Sequence, residues 1–280
     1  MQVDIAIVGA GLVGSAAFRY LSQNQYQTVL IGPKHVDGSS IAGNSDNPVV
    51  TSSSDEGRIA RTLEADHVWV KLAIASMARY RSIEKKADMT FYERCRCVCA
   101  APANHPRVSG MVESAKTLKQ ECVVLSHEDA KRRLPWLALP KNYVAVIMDG
   151  GVINSRVMID AQQSLGKQQS GTVIHGMNMV LNSIDVYKDV VTHIIQSSGG
   201  AEVITASGER VFAKRVLVAT NAATNHTHLL SEPLALRTCT ETVVLCEPAV
   251  ETATLLRHMT CLLYVGEDDR DSCYILVCTR

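Results

Sequence analysis

The sequence predicts an α/β protein in which a parallel, helix-covered sheet is interleaved with a second, antiparallel sheet domain. The chain opens with a β-branched apolar run, a glycine-rich turn, a helical pattern to Leu21 and a second apolar run at residues 28–31. Together these form a β-α-β unit. Three short strands separated by Ser-Gly turns form an antiparallel meander at residues 190–213. The meander leads into a continuous apolar run at residues 216–220, which is typical of a buried parallel strand.

The turn after the first strand follows the pattern Gly-x-Gly-x-x-Gly at Gly9, Gly11 and Gly14. Gly9 allows a tight turn, Gly11 lets a pyrophosphate approach the backbone, and Gly14 lets helix and strand pack closely. The free N–H groups at the helix start then face the phosphate charge. Because the triplet lies between two strands, it predicts a Rossmann-like dinucleotide site.

The end of the second strand departs from this pattern. A dinucleotide site usually has an acidic residue there, which bonds the ribose hydroxyls. Here the position holds Gly32, followed by Pro33. Either the ribose contact comes from elsewhere, for example from the Gly32 backbone, or the affinity is reduced.

The remaining helices and strands are predicted from the spacing of apolar residues and from the glycines that interrupt it. Residues 65–86 form a predicted amphipathic helix that places Trp69 and Tyr80 in the core, and residues 89–100 form a predicted strand. The pair Gly150-Gly151 predicts a turn after the next strand.

Charge and composition argue against several classes of partner. Lys plus Arg equals Asp plus Glu at 28 each, so net charge gives no reason to expect nucleic acid or an anionic membrane. No secretory signal and no apolar run of about 18 residues is present, which predicts a cytoplasmic protein with reduced cysteines. Cys95, Cys97 and Cys99 alternate along a strand, so we expect buried thiols on one face rather than a metal site.

Residues 51–61 read Thr-Ser-Ser-Ser-Asp-Glu-Gly-Arg-Ile-Ala-Arg. This segment resembles the flavin-side loop of FAD-dependent amine oxidoreductases of the D-amino-acid-oxidase superfamily, most of all the sarcosine-oxidase-like branch. The resemblance continues at residues 134–136 and 149–154, and extends to about residue 230. It implies a Rossmann-like FAD-binding domain interleaved with an α+β substrate domain. The implied FAD-binding parts are residues 1–85 and 150–228, and the implied substrate parts are residues 86–149 and 229–280. Members of the family continue well beyond this length, so the resemblance implies a chain that is incomplete at its C-terminus.

The resemblance also implies a set of noncovalent contacts to FAD. Those at the pyrophosphate turn are Gly9, Gly11, Leu12, Val13, Gly14 and Gly32. Those along the flavin are Ser53, Ser54, Gly57 and Arg58, and those at the adenine strand and the loop after the last strand are Val180, Thr220 and Asn221. Asn221 stands where the family usually has glycine, but Asn tolerates left-handed backbone angles better than most residues.

Three catalytic positions are implied in the same way. Arg61 resembles the clamp for a substrate carboxylate, a task that suits a bidentate guanidinium. Arg58 resembles the positive charge beside the flavin that favours the anionic reduced ring, and Tyr274 resembles a substrate-facing aromatic. The alternative is that either arginine is a surface or ion-paired residue, with Asp55 or Glu56 as its partner.

The resulting hypothesis is an FAD-dependent oxidoreductase that oxidises the C–N bond of an amine or N-methyl amino acid by hydride transfer to flavin N5. Its partners would be small molecules, with neither nucleic acid nor membrane involved. Two alternatives stay open. One is a noncatalytic remnant that binds nucleotide weakly or not at all, and the other is a nicotinamide-dependent dehydrogenase. The expected compartment is the cytoplasm, or the peroxisome if a C-terminal signal was lost.

Overall fold

The computed structural model describes residues 1–32, 53, 57–169, 171–175, 190–221, 223–226, 229–237, 242–244, 246–256, 259–268 and 272–277. The chain forms two compact units, each assembled from separate segments. Unit 1 contains Met1–Asp55, Ile83–Thr90 and Ser155–Val243, and unit 2 contains Glu56–Ser82, Phe91–Asn154 and Val244–Arg280. Among the helices described, none combines the length and the apolar character that a membrane span requires.

Fourteen strands and seven helices occur in the described residues. In chain order they are β1 (Gln2–Val8), α1 (Leu12–Gln23), β2 (Thr28–Gly32), β3 (Arg58–Arg61), α2 (His67–Ala87), β4 (Tyr92–Arg94), β5 (Cys97–Pro102), α3 (Pro106–Leu118), β6 (Val123–Leu125), α4 (His127–Arg133), β7 (Tyr143–Met148), β8 (Gly150–Ile153), α5 (Ser155–Lys167), β9 (Thr172–His175), β10 (Val191–Ser197), β11 (Gly200–Thr205), β12 (Arg210–Val218), α6 (Ala223–His226), α7 (Val250–Leu256), β13 (Cys261–Tyr264) and β14 (Cys273–Ile275).

Unit 1 is built on a six-stranded sheet with the order β10-β11-β12-β1-β2-β9. The strands β12, β1, β2 and β9 run parallel, and the β10–β11 hairpin adds antiparallel strands at one side. The predicted β-α-β unit and meander are therefore confirmed. The two strands expected at residues 210–213 and 216–220 are a single strand, because β12 pairs with β11 in its first half and continues along β1.

The second half of β12 is less buried than its sequence indicates. On one side it pairs with β1 as far as Val218, whereas β11 on the other side reaches only Ala213. Leu217 is consequently 40% exposed, so the expectation of a buried strand is wrong at this residue.

The core of unit 1 lies on both faces of the parallel strands. Ile7 and Leu30 pack with Phe18 of α1 on one face, while Val8 and Ile31 join the cluster on the other. Helix α5 also packs on α1, and glycine makes this possible. A Cβ on Gly166 would lie 2.3 Å from the Phe18 ring. Such close packing of a helix pair holds α1, and with it the glycine turn, against the sheet.

Unit 2 contains a five-stranded sheet with the order β14-β13-β5-β7-β6 and a three-stranded sheet with the order β3-β8-β4. The expectation of an antiparallel sheet is wrong at one pair of the larger sheet, because β13 runs parallel to β5. Alternation along β5 divides its side chains between two cores. Cys97 and Cys99 face the cluster that includes Met111 of α3, and Val98 faces the cluster that includes Ala130 of α4.

The strand predicted at residues 89–100 is interrupted. Arg96 has a φ of 66°, a left-handed conformation that ends one strand and begins the next, β4 and β5. Cys97 and Cys99 are buried on one face as expected, whereas Cys95 precedes β5 and is only half-buried. In the described part of the chain, no group of His, Cys, Asp and Glu side chains has the arrangement of a metal site.

The Gly150-Gly151 pair does not form a turn. Both glycines lie in β8, between β3 and β4. A Cβ on Gly150 would lie 2.4 Å from the Ala60 carbonyl oxygen, and one on Gly151 would lie 2.0 Å from the Glu93 carbonyl oxygen. The pair is needed for close approach of neighbouring strands rather than for chain reversal.

The predicted helix at residues 65–86 is confirmed as α2, but the expected core position of Trp69 is wrong. Tyr80 is buried and contacts Phe91 edge-on, whereas Trp69 is 65% exposed. The buried stripe of α2 begins at Val70 and continues through Tyr80 and Ile83. The helical period is equally compatible with a buried stripe that begins at Trp69 and with one that begins at Val70. The structure shows that the stripe beginning at Val70 is buried.

Candidate functional site

The glycine turn joins β1 to α1 with the geometry that its sequence predicts. Gly9 has a φ of 111°, and its N–H donates to the Ile31 carbonyl at 2.8 Å. A Cβ on Gly14 would lie 1.8 Å from the Gly9 carbonyl oxygen, so any side chain there would displace the helix from the turn. Only glycine satisfies both positions.

Gly11 differs from its two neighbours because the space beside it is open. The closest atom to a Cβ at Gly11 would be the Ser53 hydroxyl oxygen at 3.8 Å. Gly11 is also the N-cap of α1, and none of the described side chains caps it. The first amides of α1 are therefore available to an anion, with Leu12 and the exposed Val13 in the first turn.

Two further segments reach the same edge of the sheet as this turn. Since β1, β2 and β12 are parallel, their carboxyl ends lie together, which is where open α/β sheets bind ligands. A Cβ on Gly32 would lie 2.7 Å from the Ala10 nitrogen. After β12, the Ala219 N–H donates to the Val8 carbonyl at 2.7 Å. Asn221 has a φ of 50°, which confirms that asparagine adopts the left-handed conformation expected there.

Buried hydrogen bonds fix the conformation of the glycine turn. The Ser15 hydroxyl donates to the Ala10 carbonyl at 3.0 Å. The Gln163 side-chain amide, from α5, donates to Ser15 Oγ at 3.1 Å and to the Ala10 carbonyl at 3.4 Å. The Ala10 carbonyl thus accepts from two buried donors, which fix the peptide group just before Gly11.

These features fit the pyrophosphate of FAD. The open space at Gly11, the uncapped helix start and the fixed carbonyl behind it together form a cradle for an anion. Sequence reasoning found the glycines but missed Gln163. No local sequence pattern marks Gln163, because its burial and its contacts with Ser15 and Ala10 depend on residues distant in the sequence.

The two arginines of the resemblance both lie on β3, in unit 2. Arg58 Nη1 donates to its neighbour, the Gly57 carbonyl, at 2.6 Å. Arg61 pairs with Gly150 across the sheet, and its Nη2 forms an ion pair with Glu64. The ion-paired alternative is thus realised for Arg61. Its partner is Glu64, a residue that sequence reasoning missed, while Asp55 and Glu56 lie outside the described residues.

The guanidinium of Arg61 is only partly satisfied. Its Nε is buried and has no hydrogen-bond partner among the described residues. Burial, followed by repulsion from Arg107, holds the pKa of Arg61 below its ordinary value. A buried N–H without an acceptor costs about 1–3 kcal/mol, so a bound carboxylate oxygen would be favoured at this position.

The other expected site residues are distributed as follows. Ser53 is buried, and its carbonyl accepts a hydrogen bond from the Ser155 hydroxyl at 3.2 Å. The Thr220 hydroxyl lies 2.8 Å from that of Thr224. Tyr274 is 40% exposed on β14, the edge strand of the larger sheet of unit 2. Ser54 and Val180 lie outside the described residues.

The structure therefore brings together one group of expected site residues in unit 1. These are Gly9, Gly11, Leu12, Val13, Gly14, Gly32, Ser53, Thr220 and Asn221. A second group, Gly57, Arg58, Arg61 and Tyr274, belongs to unit 2.

Comparisons with known proteins identify the family of the chain. Residues 4–277 match the family model DAO, described as FAD dependent oxidoreductase. The chain is 26% identical over 178 residues to the monomeric sarcosine oxidase of Arthrobacter sp. strain TE1826, covering 61% of this chain and 42% of that protein. It is 22% identical over 222 residues to the N-methyl-L-tryptophan oxidase of Citrobacter koseri, covering 78% and 53%.

Among solved structures, the amino acid oxidase NikD in its open form superposes with a TM-score of 0.59 at 20% identity. That superposition covers 80% of this chain and 52% of NikD. The chain spans about half the length of the curated relatives that it matches. The family model covers nearly all of the sequence, and the glycine cradle of the chain fits FAD. The chain therefore belongs to the DAO family of FAD-dependent oxidoreductases.

Proposed function

We propose that this chain binds FAD at the Gly11 cradle and oxidises the C–N bond of a small amine that carries a carboxylate. The relatives named above act, by their names, on sarcosine and N-methyl-L-tryptophan, which are both N-methyl amino acids. Bound FAD would supply the chemistry by accepting a hydride at flavin N5 from the carbon next to the amine nitrogen.

The observation that carries the proposal is the state of the Arg61 guanidinium. Nη2 of the guanidinium forms an ion pair with the Glu64 carboxylate, and the buried Nε has no acceptor in the described part of the chain. A planar guanidinium binds a carboxylate with two parallel N–H donors. Arg61 would orient the substrate through its carboxylate, and Arg58 would supply positive charge near the reduced flavin.

Anaerobic reduction of the FAD-loaded chain tests this proposal. We expect sarcosine or an N-methyl amino acid to bleach the flavin absorbance. Arg61→Ala should raise the half-saturating concentration of such a substrate about 10- to 100-fold, because a charged hydrogen bond contributes about 1.5–3 kcal/mol. The same variant should leave FAD content unchanged.

A carboxylate-free amine of similar size is the matched control, since Arg61→Ala should leave its half-saturating concentration nearly the same. An equal effect on both amines would show that Arg61 does not bind the carboxylate. A chain that takes up FAD but is bleached by none of these amines would favour the noncatalytic alternative.

A further inference from the structure

Unit 2 also contains a pair of thiols that the proposed function does not use. Cys95 Sγ and Cys261 Sγ are 3.5 Å apart, although the residues are separated by 166 positions in the sequence. Both belong to the core around β5, where Cys261 is fully buried and Cys95 is half-buried. The pair is therefore in van der Waals contact, with one member within reach of small solutes.

The backbone holds the two cysteines in this relation. The Cys261 N–H donates to the Arg96 carbonyl at 3.2 Å, where β13 begins to run parallel to β5. The N–H groups of Cys95 and Arg96 both donate to the Gly150 carbonyl, at 3.2 and 3.0 Å. The left-handed conformation of Arg96 turns the chain here, so Cys95 precedes the strand rather than continuing it.

We propose that Cys95 and Cys261 are a site of reversible disulfide formation, with hydrogen peroxide as the oxidant. Peroxide oxidises the accessible Cys95 thiol to a sulfenic acid and is itself reduced to one water. The Cys261 thiol then attacks that sulfur, the new S–S bond forms, and the sulfenic oxygen leaves as a second water. In total, two thiols and one peroxide give one disulfide and two waters. The sulfur atoms must approach from 3.5 Å to about 2 Å, a distance that rotation of the half-buried Cys95 side chain can cover.

The surroundings keep this reaction slow at neutral pH. Contact with Cys261, together with burial, raises the pKa of Cys95 above its ordinary value. Contact with Cys95 lowers the pKa of Cys261, but contact with Cys97 and burial outweigh it and raise that pKa to about 12. Because the thiolate is the reactive form, the pair would respond to sustained exposure rather than to a brief pulse.

The crosslink would join two separate segments of unit 2. Cys95 lies in Phe91–Asn154, and Cys261 lies in Val244–Arg280. In the described residues, the strands of the latter segment enter the larger sheet through pairing of β13 with β5. A disulfide closing so long a loop restricts the unfolded chain strongly. We expect it to raise the Tm of the whole chain by about 4 °C or more.

Peptide mapping of the whole chain tests the proposal directly. The reduced protein is treated with hydrogen peroxide, its remaining thiols are blocked, and it is digested with trypsin without reductant. Trypsin cleaves after Arg94 and after Arg96, so Cys95 is released in a dipeptide separate from Cys97 and Cys99. We expect this dipeptide joined to the peptide of residues 258–270, and dithiothreitol should separate them.

Two variants complete the test. Cys95→Ser should lose both the linked species and the peroxide-dependent rise in Tm. Cys122→Ser should keep both, because Cys122 packs against the same core but is not in the pair. Recovery of the Cys261 peptide with its thiol free, or joined to Cys97, would overturn the proposal, as would equal behaviour of the two variants.

Discussion

The Arg61 guanidinium at the end of β3 holds the Glu64 carboxylate in an ion pair, three residues along the chain. The side chains are about three-quarters buried, with 26% and 21% of their surface exposed. Glu64 therefore occupies part of the guanidinium that a substrate carboxylate would use. Under the proposed function, the two carboxylates compete for Arg61.

Glu64→Gln should lower the KM for an N-methyl amino acid by about three- to tenfold, with little change in kcat. The variant removes the competing charge while keeping the side-chain volume, and a partly buried ion pair is worth on the order of 1 kcal/mol. Steady-state kinetics of the FAD-loaded chain measures this effect. Glu113→Gln on the exposed face of α3 is the control, and a rise in KM for Glu64→Gln would contradict the competition.

Gln163→Leu should weaken FAD binding by about fivefold to tenfold. The substitution removes the donors to Ser15 and to the Ala10 carbonyl, leaving a buried acceptor with one bond fewer at a cost of about 1 kcal/mol. Flavin fluorescence titration measures the Kd. Gln168→Leu, at an exposed position just after the same helix, should bind FAD as the unaltered chain does. Equal Kd values for the two variants would mean that Gln163 does not support the turn.

Alkaline pH should destabilise unit 2 through its buried thiols. Burial raises the pKa of Cys99 from 9.0 to about 11, so the folded state keeps a proton that the unfolded state has lost. The stabilisation is present below pH 9 and disappears as the pH rises from 9 to 11. The loss from this residue is on the order of 2 kcal/mol.

Urea unfolding at several pH values checks this linkage. Cys99→Ala should show a smaller fall in unfolding free energy between pH 9 and pH 11 than the unaltered chain. Val98→Ala, a buried neighbour on β5 that is truncated without losing a titratable group, should show the same fall between pH 9 and pH 11 as the unaltered chain. If the unfolding free energy of Cys99→Ala falls as much between pH 9 and pH 11 as that of the unaltered chain, ionisation of Cys99 is not coupled to folding.

The sequence predicted the elements whose signal is local. The β-α-β unit, the glycine turn and the meander all follow from patterns within about 30 residues of chain. The left-handed conformation of Asn221 was also predictable, because Asn221 stands where the resemblance places a glycine and asparagine tolerates that conformation.

What could not be predicted depends on contacts that are distant in the sequence. Gly150 and Gly151 look like a turn until β3 and β4 are known to approach them. The exposure of Trp69 depends on which of two overlapping helical stripes is buried. Gln163 acts on Ser15, 148 positions away, so no local pattern marks it.

Gly11→Ala tests most directly whether the glycine turn is where FAD binds. A Cβ at Gly11 meets nothing closer than Ser53 Oγ at 3.8 Å, so we expect the variant to fold with an unchanged Tm. The methyl group would occupy the space proposed for the pyrophosphate, so FAD binding in a fluorescence titration should fall by at least about 100-fold. Gly199→Ala, whose Cβ also meets nothing closer than 3.8 Å, should bind FAD normally. A Gly11→Ala chain that binds FAD as tightly as the unaltered protein would contradict the assignment of this turn as the cofactor site.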